Sequence, residues 1–80
     1  MENLKTFILK EIENTLNYDR NAGLYGTQIL NAEGAIGKYH GLMDVLEKID
    51  LDLFVKTHEE KKPVIDELFA TTERIYEMRR

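Results

Sequence analysis

Glu33, His40, Asp44 and Glu47 follow one another at steps of 7, 4 and 3. That spacing sets them along one face of an α-helix. Imidazole and carboxylates are suitable ligands for zinc or iron, so chemistry is sought here first. A di-iron site in a helical bundle takes Glu-x-x-His from paired helices. Here residue 37, three before His40, is a glycine, and a single helix supplies every candidate. The four side chains read as a solvated charged face. No metal and no other cofactor is expected. His58 with Glu59 and Glu60 reads as the start of a helix rather than as a site.

Other routes to catalysis lack their residues. The chain has no serine and no cysteine, so the ordered sets that activate such nucleophiles are missing. The glycines of AGLYG, residues 22–26, do not follow a strand and so do not form a nucleotide cradle. Carboxylate pairs occur by chance on any acidic helix and do not by themselves indicate a reaction. No catalytic residue is assigned, and the expectation is a protein that is not an enzyme.

Eighty residues make one domain, 1–80, which buries only about 60% of its unfolded surface. A second chain covering apolar surface would help such a domain considerably. The absence of cysteine excludes a disulfide framework and thiolate metal sites. MENLKTFILK does not resemble a signal peptide, because Lys5 and Lys10 interrupt its apolar residues. No stretch approaches the roughly 18 apolar residues of a membrane span. A cytoplasmic protein with no membrane association is expected. The net charge is −4. Residues 1–26 carry three bases against four acids, 27–56 three against five and 57–80 five against six. Clustered cations that would hold a phosphate backbone are missing, which disfavours nucleic acid.

The pattern predicts an all-α fold, a small antiparallel bundle of three main helices over about 4–18, 28–49 and 58–79, with a short helical turn near 51–56. In the first, Leu4, Ile8, Ile12 and Leu16 recur every four residues and Asn3 is the candidate N-cap. The turn DRNAGLYG follows. Thr27 is the candidate N-cap of the second helix, whose Ile29, Ala32, Ile36, Tyr39, Met43 and Leu46 step 3, 4, 3, 4, 3. That is an a/d seam. Ala35, Leu42, Val45 and Ile49 broaden it into a face for two neighbours. DLDLFVK, residues 50–56, should tuck Leu53 and Phe54 into the core. Thr57–Glu60 form a T-x-x-E capping box for the third helix. Pro63 leaves two choices: a helix starting near Lys62 with proline at its first position, or one starting at His58 and kinked. Beyond it, Ile65, Leu68, Thr72 and Ile75 make the stripe, widened by Val64, Phe69, Tyr76 and Met78. Arg79 and Arg80 would suit the negative end of the helix dipole.

AEGAIGKYHG, residues 32–41, sits inside the second helix yet holds Gly34, Gly37 and Gly41. Each costs about 1 kcal/mol relative to alanine. On a wheel of 100° per residue with Ile29 at zero, they fall at about 140°, 80° and 120°, opposite the seam and together with Leu30. Three explanations fit: tolerance at exposed positions, close crossing by another helix of the same chain, and contact with another molecule. Under the last, Leu30, Gly34, Gly37, Gly41 and flanking His40 form a binding surface. Tyr25, in the glycine-rich turn, joins the candidates because tyrosine is enriched at interfaces.

The expected function is that of a small acidic protein–protein interaction module, of the kind found among bacterial and phage (viral) regulators and inhibitors. It would bind a partner protein of unknown identity and form a homodimer through the second helix. The alternative is a small helical transcriptional regulator that contacts DNA through the C-terminal helix, which carries Lys61, Lys62, Arg74, Arg79 and Arg80.

Overall fold

A computed structural model describes residues 2–78. It contains three helices: α1 (Glu2–Leu16), α2 (Tyr25–Ile49) and α3 (Leu51–Met78). There is no strand among the described residues. Arg79 and Arg80, expected to complement the end of α3, lie outside them. No helix among them is long and apolar enough to cross a membrane.

The α2 seam is buried as its spacing predicts: Ile29, Ala32, Ile36, Tyr39, Met43 and Leu46 all lie in the interior. From α1 come Ile8, Ile12 and Leu16, and from α3 come Ile65, Leu68 and Ile75. Leu53 and Phe54 pack partly buried against this core. Helix α2 is therefore central, with α3 folded back along it and α1 laid on both. The direction of each helix follows from its cross-links. Tyr76 Oη donates to Glu33 at 3.1 Å at the open end of the α2–α3 hairpin. Lys38 meets Glu11 at 3.4 Å, Lys5 meets Asp50 at 3.1 Å, and Lys61 donates to Glu13. Thus α1 is antiparallel to α2 and parallel to α3.

The joint between α2 and α3 corrects the expected boundaries. The third helix starts at Leu51, not at 58, so DLDLFVK forms its first turns instead of a separate piece. Asp50 is the only residue between the helices, and its extended backbone (φ −160°, ψ 92°) breaks the helical path. Its N–H donates to Leu46 O at 2.8 Å, and its own carbonyl accepts from Phe54 at 2.9 Å. Its Oδ1 accepts the N–H of Leu53 at 3.0 Å, which satisfies an otherwise free donor of the new helix. Thr57 is consequently a buried mid-helix residue and caps nothing. Pro63 lies well inside α3 and neither starts it nor occupies its first turn. It costs the Glu59 carbonyl its helical donor, but Pro63 and Glu59 are both exposed, so water can replace the bond.

The other helix ends also shift. α1 starts at Glu2 and so includes Asn3, which is not its N-cap. It stops at Leu16, two residues early, where Asp19 Oδ1 accepts the N–H of Asn21 at 2.9 Å and turns the chain. Arg20 stacks 4.3 Å from the Tyr18 ring centroid. α2 begins at Tyr25, so Thr27 lies in its first turn and Leu24 holds the cap position without a side-chain bond. Gly23 adopts φ +83°, where a Cβ would lie 3.0 Å from the Thr27 methyl, so both the turn and the packing require glycine. Along α3, Phe69, Tyr76 and Met78 are exposed instead of widening the core stripe.

The hairpin arms are long and α1 is short, so the molecule measures 46 × 19 × 15 Å. Its radius of gyration is 13.9 Å, against about 12 Å for a compact chain of this length.

The Asp50 carboxyl is held below the usual 3.8, first by the Leu53 N–H and then by Lys5. A depressed carboxylate stabilises the fold above its ordinary pKa, and that contribution is lost as pH falls through the folded value. Urea unfolding between about pH 2 and 7 should therefore show an acid limb below about pH 4. Asp50→Asn keeps a capping oxygen and should flatten the limb. Asp50→Ala should lower stability at neutral pH as well. An unchanged profile in both variants would contradict this role for the joint.

Candidate protein-interaction face

The charged set on α2 does not assemble into a centre. Glu33, His40, Asp44 and Glu47 are all exposed, and Glu33 accepts the Tyr76 hydroxyl. No group of three or more histidines or acids that could hold a metal occurs among the described residues. His58 stacks on Phe54 with ring centroids 6.3 Å apart. The Lys61 ammonium is held protonated beyond its usual range, chiefly by the hydrogen bond to Glu13, which makes it an ion-pair partner and not a nucleophile. It borders a shallow hollow of about 430 Å³ between α1 and α3, lined by Leu9, Ile12, Leu53 and Thr57 among others.

Burial raises the Tyr39 phenol, partly offset by nearby Lys61. Its hydroxyl is inaccessible and has no hydrogen-bond partner among the described residues. An unsatisfied buried hydroxyl costs about 1–3 kcal/mol. Tyr39→Phe should accordingly raise the unfolding free energy by about 1 kcal/mol. A group whose folded pKa is raised loses its stabilisation as pH rises through that value, so the same variant should also lessen the fall in stability above about pH 10.

The outer face of α2 is a different surface. A Cβ built on Gly34, Gly37 or Gly41 meets nothing within 4 Å. This excludes close crossing by α1 or α3 as the reason for these glycines. Leu30 is 70% exposed beside them, and His40 is exposed at the flank. Leu30 and the three glycines therefore share one open side, with His40, at about 20°, on the adjoining charged face. Tyr25 does not: it is 49% exposed, but its wheel position of about 320° puts it on the α3 side of the helix axis.

A further glycine and a further apolar residue of the face escape the sequence reading, and exposed Thr27, Asp44 and Lys48 share the same arc. Gly26 falls at about 60° and Val45 at about 160°. Gly26 has open space around it. Val45, expected to broaden the core, is 44% exposed. Gly26 is missed because the helix was expected to start after it. Val45 is missed because its place at the edge of the seam depends on where α1 lies. At the α1 border, Thr15, Tyr18, Leu30, Gly34, Ala35 and Lys38 line a shallow, open hollow of about 410 Å³. On α1, Phe7 is 57% exposed and Leu4, expected in the buried stripe, is 41% exposed. The face can grip an apolar or backbone surface.

Compared with known proteins, the chain matches no family model, and no curated protein or solved structure shows significant similarity to it.

Since no neighbour fills the space at Gly37, Gly37→Ala should raise the stability of the dilute monomer by about 1 kcal/mol through helix propensity alone. Denaturant unfolding at low protein concentration checks this. A loss of stability would mean that the face is packed within the chain.

Proposed function

We propose that this chain is a non-catalytic protein–protein interaction module that binds through the outer face of α2. The observation that supports the reading is the open stripe of Gly34, Gly37 and Gly41 beside a Leu30 that is 70% exposed. A face without side chains lets another backbone or a large side chain approach closely. Regulators and inhibitors that act by occupancy need nothing more. The cytoplasm is the proposed compartment, in keeping with a chain free of cysteine. The DNA-binding alternative has less support. Lys61 is engaged by Glu13 and Glu60, and Lys62 by Asp66 at 3.1 Å, so two of the α3 cations already have acidic partners.

The test compares wild type with Gly37→Leu and with Ala70→Leu, which introduces the same side chain at an exposed site on α3. Sedimentation equilibrium and affinity capture from a lysate report self-association and foreign partners together. Gly37→Leu should weaken association at least tenfold while helicity persists, and Ala70→Leu should not. Equal association by all three proteins would overturn the reading.

A further inference from the structure

The exposed stripe on α2 is more than a row of small residues. In order it reads Gly26, Leu30, Gly34, Gly37, Gly41, Val45, at steps of 4, 4, 3, 4 and 4. The sequence of steps is a palindrome, and the residue sizes complement one another when it is reversed. Set two copies of α2 antiparallel with a two-fold axis midway between residues 35 and 36. Residue 26 then stands level with 45 of the second copy, 30 with 41, and 34 with 37. Each large side chain meets a glycine: Val45 faces Gly26 and Leu30 faces Gly41. The two remaining glycines, Gly34 and Gly37, meet each other at the centre.

We propose that this face pairs with the same face of a second copy in that antiparallel register, an interface resting on the protein-binding role inferred above. An isologous contact must be self-complementary under a two-fold, and this stripe is. Glycines at the crossing let the axes come nearer than the usual 8–10 Å. The six facing positions carry no charge; exposed Asp44 and Lys48 share the arc, at about 60° and 100°, and in this register stand level with Thr27 and Gly23 of the second copy. Lys38 at the rim is already paired with Glu11. The exposed area agrees. The monomer presents 5536 Å², against about 5000 Å² for a compact protein of this mass.

Disulfide trapping tests the register, and the chain has no cysteine of its own. The double variant Leu30→Cys/Gly41→Cys should give a covalent dimer in a glutathione redox buffer. Within one chain these positions lie about 16 Å apart along the helix, beyond the roughly 7 Å that a disulfide spans. Either single variant should stay uncrosslinked, because each cysteine would lie equally far from its own copy, and mixing the two singles should restore the link. A second measurement avoids cysteine. Leu30→Gly and Gly41→Leu should each weaken dimerisation at least tenfold in sedimentation equilibrium, and the double exchange should restore it by reversing which copy supplies knob and notch. Singles that crosslink as readily as the double, or no rescue, would overturn the antiparallel register while leaving α2 a binding face. A wild type that stays monomeric at the highest concentrations would overturn self-pairing. The broader reading would then stand or fall with whether Gly37→Leu loses a foreign partner.

Discussion

Asp50 ends α2 with its N–H and starts α3 with its carboxylate, so two helices meet across one residue. A joint this short leaves little freedom in how the arms leave it. They fold back along each other, and the α2 seam is committed to α3 from the first turn. The Lys5 ammonium, 3.1 Å from the same carboxylate, then fixes the start of α1 beside the joint. One side chain thus orients all three helices. Its local character also keeps most contacts near in sequence, an arrangement associated with fast folding.

The same geometry decides what stays uncovered. α1 has 15 residues and α3 has 28, about 22 and 42 Å of helix. α1 spans only the half of the hairpin nearest the joint, and α3 lies on one side of α2. A central helix needs neighbours all round to be fully enclosed, and this one has two. Its remaining side therefore faces water whatever residues stand there. The sequence places glycines, leucine and valine on that side beside Thr27, Asp44 and Lys48; at the glycine positions lysine or glutamate would hold the helix better.

How far the fold can be read in advance depends on whether the signal is local. The seam of α2 is legible because a 3-4 repeat directly encodes one face of a helix, and all six of its residues are buried. The start of α3 is harder. DLDL resembles strand alternation, while T-x-x-E and Pro63 both suggest a later start. A buried Thr57 and an exposed Pro63 settle the matter, and burial is a property of packing. The candidate face divides in the same way. Leu30, Gly34, Gly37 and Gly41 share a side by periodicity alone, and His40 flanks it. Gly26 requires knowing that α2 begins at Tyr25, and Val45 requires the position of α1. Residue type alone suggests Tyr25, and its angle puts it on the other side of the axis.

The cost of the glycines bears on which explanation to prefer. Three glycines inside α2 forgo about 3 kcal/mol of helix propensity, a sizeable share of a total near 5–15 kcal/mol. Had a neighbouring helix packed against them, the loss would be offset inside the chain. Open space around all three removes that offset. Tolerance remains as an account of each glycine taken singly. It does not account for the order of the whole stripe, in which the two large residues stand where reversal brings them opposite glycines. Random drift at exposed sites does not favour that order, whereas an antiparallel contact between two identical helices would.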